Sequence, residues 1–119
     1  MTARRAIVAA CVAIAACAPV DVQVDLAQLA FLGVAIVPTG FQFQAITVGG
    51  LSGISYDPDR QIYYVISDDK SDTRFYSMRI PLSDNAVGAE FLGTYALQNV
   101  SGRVDPEDIT FDRQRQQLY

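Results

Sequence analysis

The residues of this sequence that are suited to chemistry are concentrated in one acidic segment, which directly follows an apolar run. The charged residues of the segment are Asp68, Asp69, Lys70, Asp72 and Arg74. Calcium takes roughly six to eight oxygen ligands, and neighbouring carboxylates at the end of a strand can supply some of them. We therefore predict a calcium site there, with Arg74 holding the anionic group of a substrate by a bidentate contact. The predicted metal ligands are Asp68, Asp69, Asp105 and Glu107.

A metal at this position would support hydrolysis, because it neutralises a phosphate group and lowers the pKa of a bound water. The alternative interpretation is a solvated loop rich in aspartate, in which Arg74 pairs with one of the carboxylates. The sequence indicates no catalytic nucleophile. Ser52 lies among glycines, but Ile54 occupies the position where a nucleophile elbow has its second glycine.

Several classes of function are excluded by composition. The sequence of 119 residues contains no histidine, which removes histidine-dependent triads and the usual zinc sites from this stretch. The formal net charge is -4, whereas nucleic-acid binding needs clustered lysine and arginine. We therefore expect no nucleic-acid partner.

The N-terminal residues have the three parts of an export signal. Arg4 and Arg5 form a positive head, residues 6–16 are apolar, and small residues precede Cys17. Residues 14–17 (IAAC) spell a bacterial lipobox, which predicts that Cys17 is lipidated and anchors the protein in a membrane. The alternative is an ordinary signal peptide, cut near residues 13–15, that releases a soluble protein. Both interpretations predict export, to the periplasm or outer membrane of the cell envelope or to the outside.

The elements that would position the acidic segment are short β-strands arranged as a repeat. Residues 54–57 (ISYD) recur as 109–112 (ITFD), and residues 31–33 (FLG) recur as 91–93. The two offsets are close to the roughly 40 to 50 residues of a four-stranded propeller blade. The strands of one blade are predicted at residues 51–57, 62–67, 74–80 and 89–97. Residues 31–37 are predicted to be an outer strand that completes the last blade of the ring, and no helix is predicted after the signal.

The same segments resemble a known family. Residues 48–58 (VGGLSGISYDP), 64–69 (YVISDD), 74–76 (RFY) and 105–107 (DPE) are similar to the phytase-like family, described as esterase-like activity of phytase. The resemblance covers roughly residues 30–119. It implies an extracytoplasmic β-propeller that hydrolyses phosphate esters or other esters, with a small-molecule substrate.

The resulting prediction is an all-β chain with a β-propeller architecture, of which one blade and parts of its neighbours are present. Residues 1–17 are assigned to a lipoprotein signal peptide, 18–29 to a tether, and 30–119 to the N-terminal part of the propeller. We expect the chain to be a fragment of a longer protein. Two alternatives to a hydrolase stay open: a non-catalytic propeller, anchored to the envelope, that binds a ligand or partner, and an inactive truncated remnant.

Overall fold

The described part of the chain is built from antiparallel β-strands. The computed structural model describes residues 30–84 and 86–119, and within these ranges there is no helix, so none could span a membrane. The predicted signal peptide, the tether and Cys17 lie outside the described residues. The strands are β1 (Gln42–Phe43), β2 (Ile46–Thr47), β3 (Leu51–Asp57), β4 (Ile62–Ser67), β5 (Arg74–Arg79), β6 (Leu82–Ser83), β7 (Ala86–Val87), β8 (Glu90–Ala96), β9 (Phe111–Asp112) and β10 (Gln117–Leu118).

Four of these strands form the central sheet, in the order β3-β4-β5-β8. All three pairings are antiparallel. The paired strands follow one another along the chain, except that a short β6-β7 hairpin is inserted between β5 and β8. The predicted strands at 51–57 and 62–67 are confirmed. Those predicted at 74–80 and 89–97 are one or two residues shorter in the structure.

The core lies at the two middle strands of the sheet, because these have a partner on each side. Val65 and Ile66 of β4 are buried, and so are Tyr76 and Met78 of β5. Tyr76 is fully buried and meets the ring of Phe91 edge-on, with ring centroids 5.5 Å apart. The runs of β-branched and aromatic residues that predict strands in the sequence therefore also supply the core.

The turn between β3 and β4 is organised by one carboxylate. Oδ1 of Asp57 accepts hydrogen bonds from the backbone N–H groups of Asp59 (3.0 Å) and Arg60 (3.2 Å), and Oδ2 accepts one from Arg60 Nη1 at 2.7 Å. Gln61 closes the turn with a positive φ of 55°. This geometry explains why a turn forms at Asp57, as the sequence predicts.

The predicted echo of this region is confirmed as a structural repeat. Asp112 accepts from the backbone of Gln114 and Arg115 and from the Arg115 side chain, as Asp57 does in the first turn. Gln116 has the same positive φ of 55° as Gln61. The strand pairing repeats as well, because Thr110 and Tyr119 exchange backbone hydrogen bonds where Ser55 pairs with Tyr64.

The prediction of an outer strand at residues 31–37 is wrong. No residue of this segment is in a strand, although its second echo, residues 91–93, lies within β8. Phe31 and Ile36 are 86% and 80% exposed. A β-strand needs a ladder partner for its backbone groups, and within the described residues none pairs with this segment.

Candidate functional site

The predicted site residues lie at one end of the central sheet, where three connections meet. These are the residues before β3, the loop from β4 to β5, and the long connection from β8 to β9. Asp68 N–H donates to Gly50 O at 2.7 Å, and Leu97 N–H donates to Thr73 O at 2.9 Å. The loop that contains the acidic segment is therefore joined by backbone hydrogen bonds to both of its neighbours.

Asp69 organises the acidic loop from within. Its Oδ1 accepts hydrogen bonds from the Ser71 hydroxyl (2.6 Å), the Ser71 N–H (2.9 Å) and the Asp72 N–H (3.2 Å). These bonds stabilise the ionised carboxylate and lower its pKa to about 2, with a smaller contribution from the positive charge of Arg74. The Asp69 carboxylate thus accepts its hydrogen bonds chiefly from within its own loop.

Arg74, the predicted anion holder, is buried at the start of β5 with only 6% of its side chain exposed. Nε donates to the Tyr76 hydroxyl at 2.7 Å, and Nη2 donates to Thr47 O at 3.2 Å. Nη1 donates to the Asp72 carboxylate at 2.7 Å and to Asp69 at 3.4 Å. All three nitrogens of the guanidinium therefore have partners within the protein. Two of these partners, Asp69 and Asp72, lie in the acidic loop and are both bound by Nη1.

Lys70 connects the acidic loop to the second repeat. Its ammonium group donates to the Asp105 carboxylate, 35 residues further along the chain. The hydrogen bond to Asp105 raises the pKa of Lys70 against the opposing effect of burial, and the negative charges of Asp105, Glu107 and Asp68 add to it. Lys70 thus carries its positive charge among three of the four predicted metal ligands.

The segment around Glu107 is held to β3 by its backbone. Glu107 O accepts hydrogen bonds from the Ser52 hydroxyl at 2.8 Å and from the Gly53 N–H at 3.2 Å. Because Gly53 has no side chain, residues 108 and 109 can approach the strand: a Cβ added at Gly53 would lie 2.9 Å from the Ile109 nitrogen. The role of Ser52 in this structure is therefore to join the two repeats.

The predicted metal ligands do not form a metal centre by themselves. Among residues 30–84 and 86–119 there is no group of three or more acidic, histidine or cysteine side chains that could hold a metal ion. Asp69 is bonded to its own loop, and Asp105 is paired with Lys70. These two carboxylates are therefore already engaged, whereas calcium needs many free oxygen ligands. Calcium stays a prediction from the sequence.

A polar cleft of about 240 Å³ opens beside the acidic loop. Lys70, Ser71 and Thr73 lie on one side, and Leu97 and Gly102, from the connection after β8, lie on the other. The walls of the cleft come from two of the loops at this end of the sheet.

Comparison with known proteins supports the resemblance noted in the sequence. The family model described as Phytase-like, esterase-like activity of phytase, matches residues 46–119. The chain belongs to the phytase-like family. No curated protein matches the chain, and no solved structure matches it.

The phytase-like match places the acidic end of the sheet inside the family region. It extends from β2 to the last described residue and includes both repeated turns. Every predicted site residue except Cys17 lies within it.

Three residues that shape the acidic end of the sheet have roles that the sequence did not predict. Ser71 holds Asp69, Tyr76 holds Arg74, and Lys70 pairs with Asp105. The alternation of Arg74 and Tyr76 on one face of β5 is a signal for the second contact, since residues two apart in a strand point to the same side. The pairing of Lys70 with Asp105 depends on tertiary structure and has no local signal.

Proposed function

We propose that this phytase-like chain is part of an exported β-propeller that hydrolyses phosphate esters or other esters. The observation that carries the proposal is the family match over residues 46–119, since the family is described by an esterase-like activity of phytase. The substrate would bind at the end of the central sheet, where the acidic loop and the polar cleft lie.

The propeller architecture is supported by the form of the sheet and by its repetition. A propeller blade is a four-stranded antiparallel meander, and β3, β4, β5 and β8 form such a sheet. The second Asp-centred turn begins the same pattern again. The two turns are in contact, because Asp59 accepts two hydrogen bonds from Arg113 (3.1 and 2.5 Å) and Arg60 donates to Gln116.

We assign the binding of the substrate anion to Arg74, through exchange with Asp72. The Asp72 carboxylate is 59% exposed, while the guanidinium that it contacts is almost buried. A carboxylate or phosphate of the substrate is negatively charged and has acceptor oxygens, as Asp72 does, and a desolvated arginine binds such groups strongly. Asp72 would then occupy the anion position on Arg74 in the absence of substrate. Its carboxylate would move away from Arg74 when the substrate binds.

Export and anchoring complete the proposal. The signal at residues 1–17, with Cys17 as the lipidation site, would place the propeller in the cell envelope, facing substrates outside the cytoplasm. A soluble, secreted form follows if an ordinary signal peptide is instead cut near residues 13–15 and Cys17 is not lipidated.

The experiment is a turnover assay of the protein with a phosphomonoester and with a carboxylate ester, such as p-nitrophenyl phosphate and p-nitrophenyl butyrate. Each assay is run with calcium and with EDTA. Hydrolysis of either substrate supports the proposal, and hydrolysis of the phosphomonoester should exceed that of an identically purified Arg74→Lys variant, which has lost the guanidinium proposed to bind the phosphate. Absence of hydrolysis of both ester classes would contradict it.

The second candidate function is a non-catalytic propeller that binds a ligand or partner. It is favoured by the engagement of Arg74 and Lys70 with carboxylates of the chain itself. Asp69 would then be structural, so that Asp69→Asn leaves ligand binding unchanged. Ligand binding without turnover of any ester distinguishes this function from the first.

A further inference from the structure

Two cationic side chains form ion pairs with the carboxylates at the acidic end of the sheet. Arg74 pairs with Asp69 and Asp72. Lys70 pairs with Asp105. These contacts separate the acidic residues into one group on the β4–β5 loop and another that extends into the second repeat.

Lys70 forms the ion pair that joins the acidic loop to the second repeat. It is the one lysine of the sequence, and 40% of its side chain is exposed at the rim of the cleft. Its contact with Asp105 ties the loop after β4 to the segment that enters β9. The Asp105 segment is held to β3 from the other side, through the bonds from Ser52 and Gly53 to Glu107 O.

A lysine ammonium and a divalent cation compete for the same carboxylate oxygens, because both are compact positive charges that bind acceptors only. We propose that Lys70 is the resident cation of this acidic end: it joins the two repeats through Asp105 and thereby keeps a divalent metal from binding there. Lys70 thus takes the place of the calcium that the sequence pattern predicts. This inference holds whether or not the protein hydrolyses esters.

The test is calcium binding to the complete chain and its variants, measured by isothermal titration with calcium alone. Wild type and Lys70→Arg, which keeps the positive charge, should show no saturable binding with a Kd below about 1 mM, the weak limit of protein calcium sites. Lys70→Met and Lys70→Gln remove the ammonium group and should bind calcium at least about tenfold more tightly than wild type.

A second set of variants assigns the new affinity to the proposed carboxylate. Adding Asp105→Asn to Lys70→Met should abolish the gain, whereas adding Asp84→Asn, in the β6–β7 hairpin, should keep it. Far-ultraviolet circular dichroism checks the β content of each variant. Saturable calcium binding by wild type below about 1 mM, or no gain in either neutral variant, would overturn the proposal.

Discussion

Asp57 illustrates how much of this fold depends on single carboxylates. Its side chain is completely buried, whereas Asp112, in the equivalent turn of the second repeat, is 21% exposed. Burial opposes ionisation of Asp57, but hydrogen bonds from Arg60 and from the Asp59 N–H outweigh it and lower the pKa. Asp57 therefore stabilises the folded state above its ordinary pKa, and this contribution is lost as the pH falls through the lowered value.

The two repeated aspartates provide a matched pair of substitutions. Asp57→Asn should lower the thermal midpoint by about 5 °C or more, because a neutral amide accepts poorly from Arg60 and brings unpaired N–H groups into a buried site. Asp112→Asn should have less than half of this effect, since water can replace its bonds. Thermal unfolding followed by circular dichroism measures both, and equal effects would contradict the difference in burial.

Asp69 makes the stability of the acidic loop depend on pH in the acid range. Because its pKa is lowered to about 2, its contribution to stability is complete above the ordinary value of 3.8 and is lost as the pH falls from there through about 2. We expect a carbon-13 NMR titration of the Asp69 carboxyl to show this low midpoint. Ser71→Ala removes the largest cause of the shift and should raise the midpoint. A midpoint that is the same with and without the Ser71 hydroxyl would contradict the assignment.

At the scale of elements, the contact between repeats depends on the glycine at position 53. An added Cβ would meet the backbone of Asp108 and Ile109, whereas at Gly49 it would meet nothing within 4 Å. Gly53→Ala should therefore push the second repeat away from β3 and destabilise the chain by about 1–3 kcal/mol, while Gly49→Ala should be near neutral.

Amide hydrogen exchange tests this prediction at the contact between the repeats. In Gly53→Ala the amides of Gly53 and Phe111, which donate to Glu107 O and Ser55 Oγ, should lose protection, and Gly49→Ala should retain it. Unchanged protection in Gly53→Ala would show that the close approach is not needed for the contact between repeats.

The central sheet could be predicted from the sequence because its strands are marked by local patterns. Apolar alternation and turn residues identify β3, β4, β5 and β8, and the repeated ISYD motif identifies the second turn. Residues 31–37 have the same local pattern but no strand, because pairing depends on a neighbour that local pattern cannot supply. Tertiary structure therefore distinguishes this segment from the strands of the central sheet.

The candidate site was less predictable than the sheet. The sequence identifies an acidic loop at the end of β4, but it does not say which cation each carboxylate meets. Arg74 turns inward to Tyr76, and Lys70 reaches a residue of the next repeat. Both choices are made by side-chain packing across the sheet and across a long loop, so sequence spacing alone does not distinguish a metal site from an ion-paired one.

At the scale of the whole molecule, the proposed account places the propeller in the cell envelope. If Cys17 is acylated, each buried CH₂ contributes roughly 0.8 kcal/mol of membrane affinity, so several acyl chains hold the protein firmly. Cys17→Ser should abolish incorporation of labelled palmitate into the protein, and Cys11→Ser should not. Equal labelling of the two variants would contradict lipidation at Cys17.

The central claim, that a substrate anion binds at the acidic end of the sheet, is tested most directly by kcat/KM for phosphomonoester hydrolysis in Asp72→Asn, Arg74→Lys and Arg79→Lys. Arg79, at the other end of β5, is the control, because its side chain is exposed and distant from Asp72. We predict that Arg74→Lys lowers kcat/KM by about tenfold or more, that Asp72→Asn lowers KM, and that Arg79→Lys changes little. Equal kcat/KM values in Arg74→Lys and Arg79→Lys would contradict the claim.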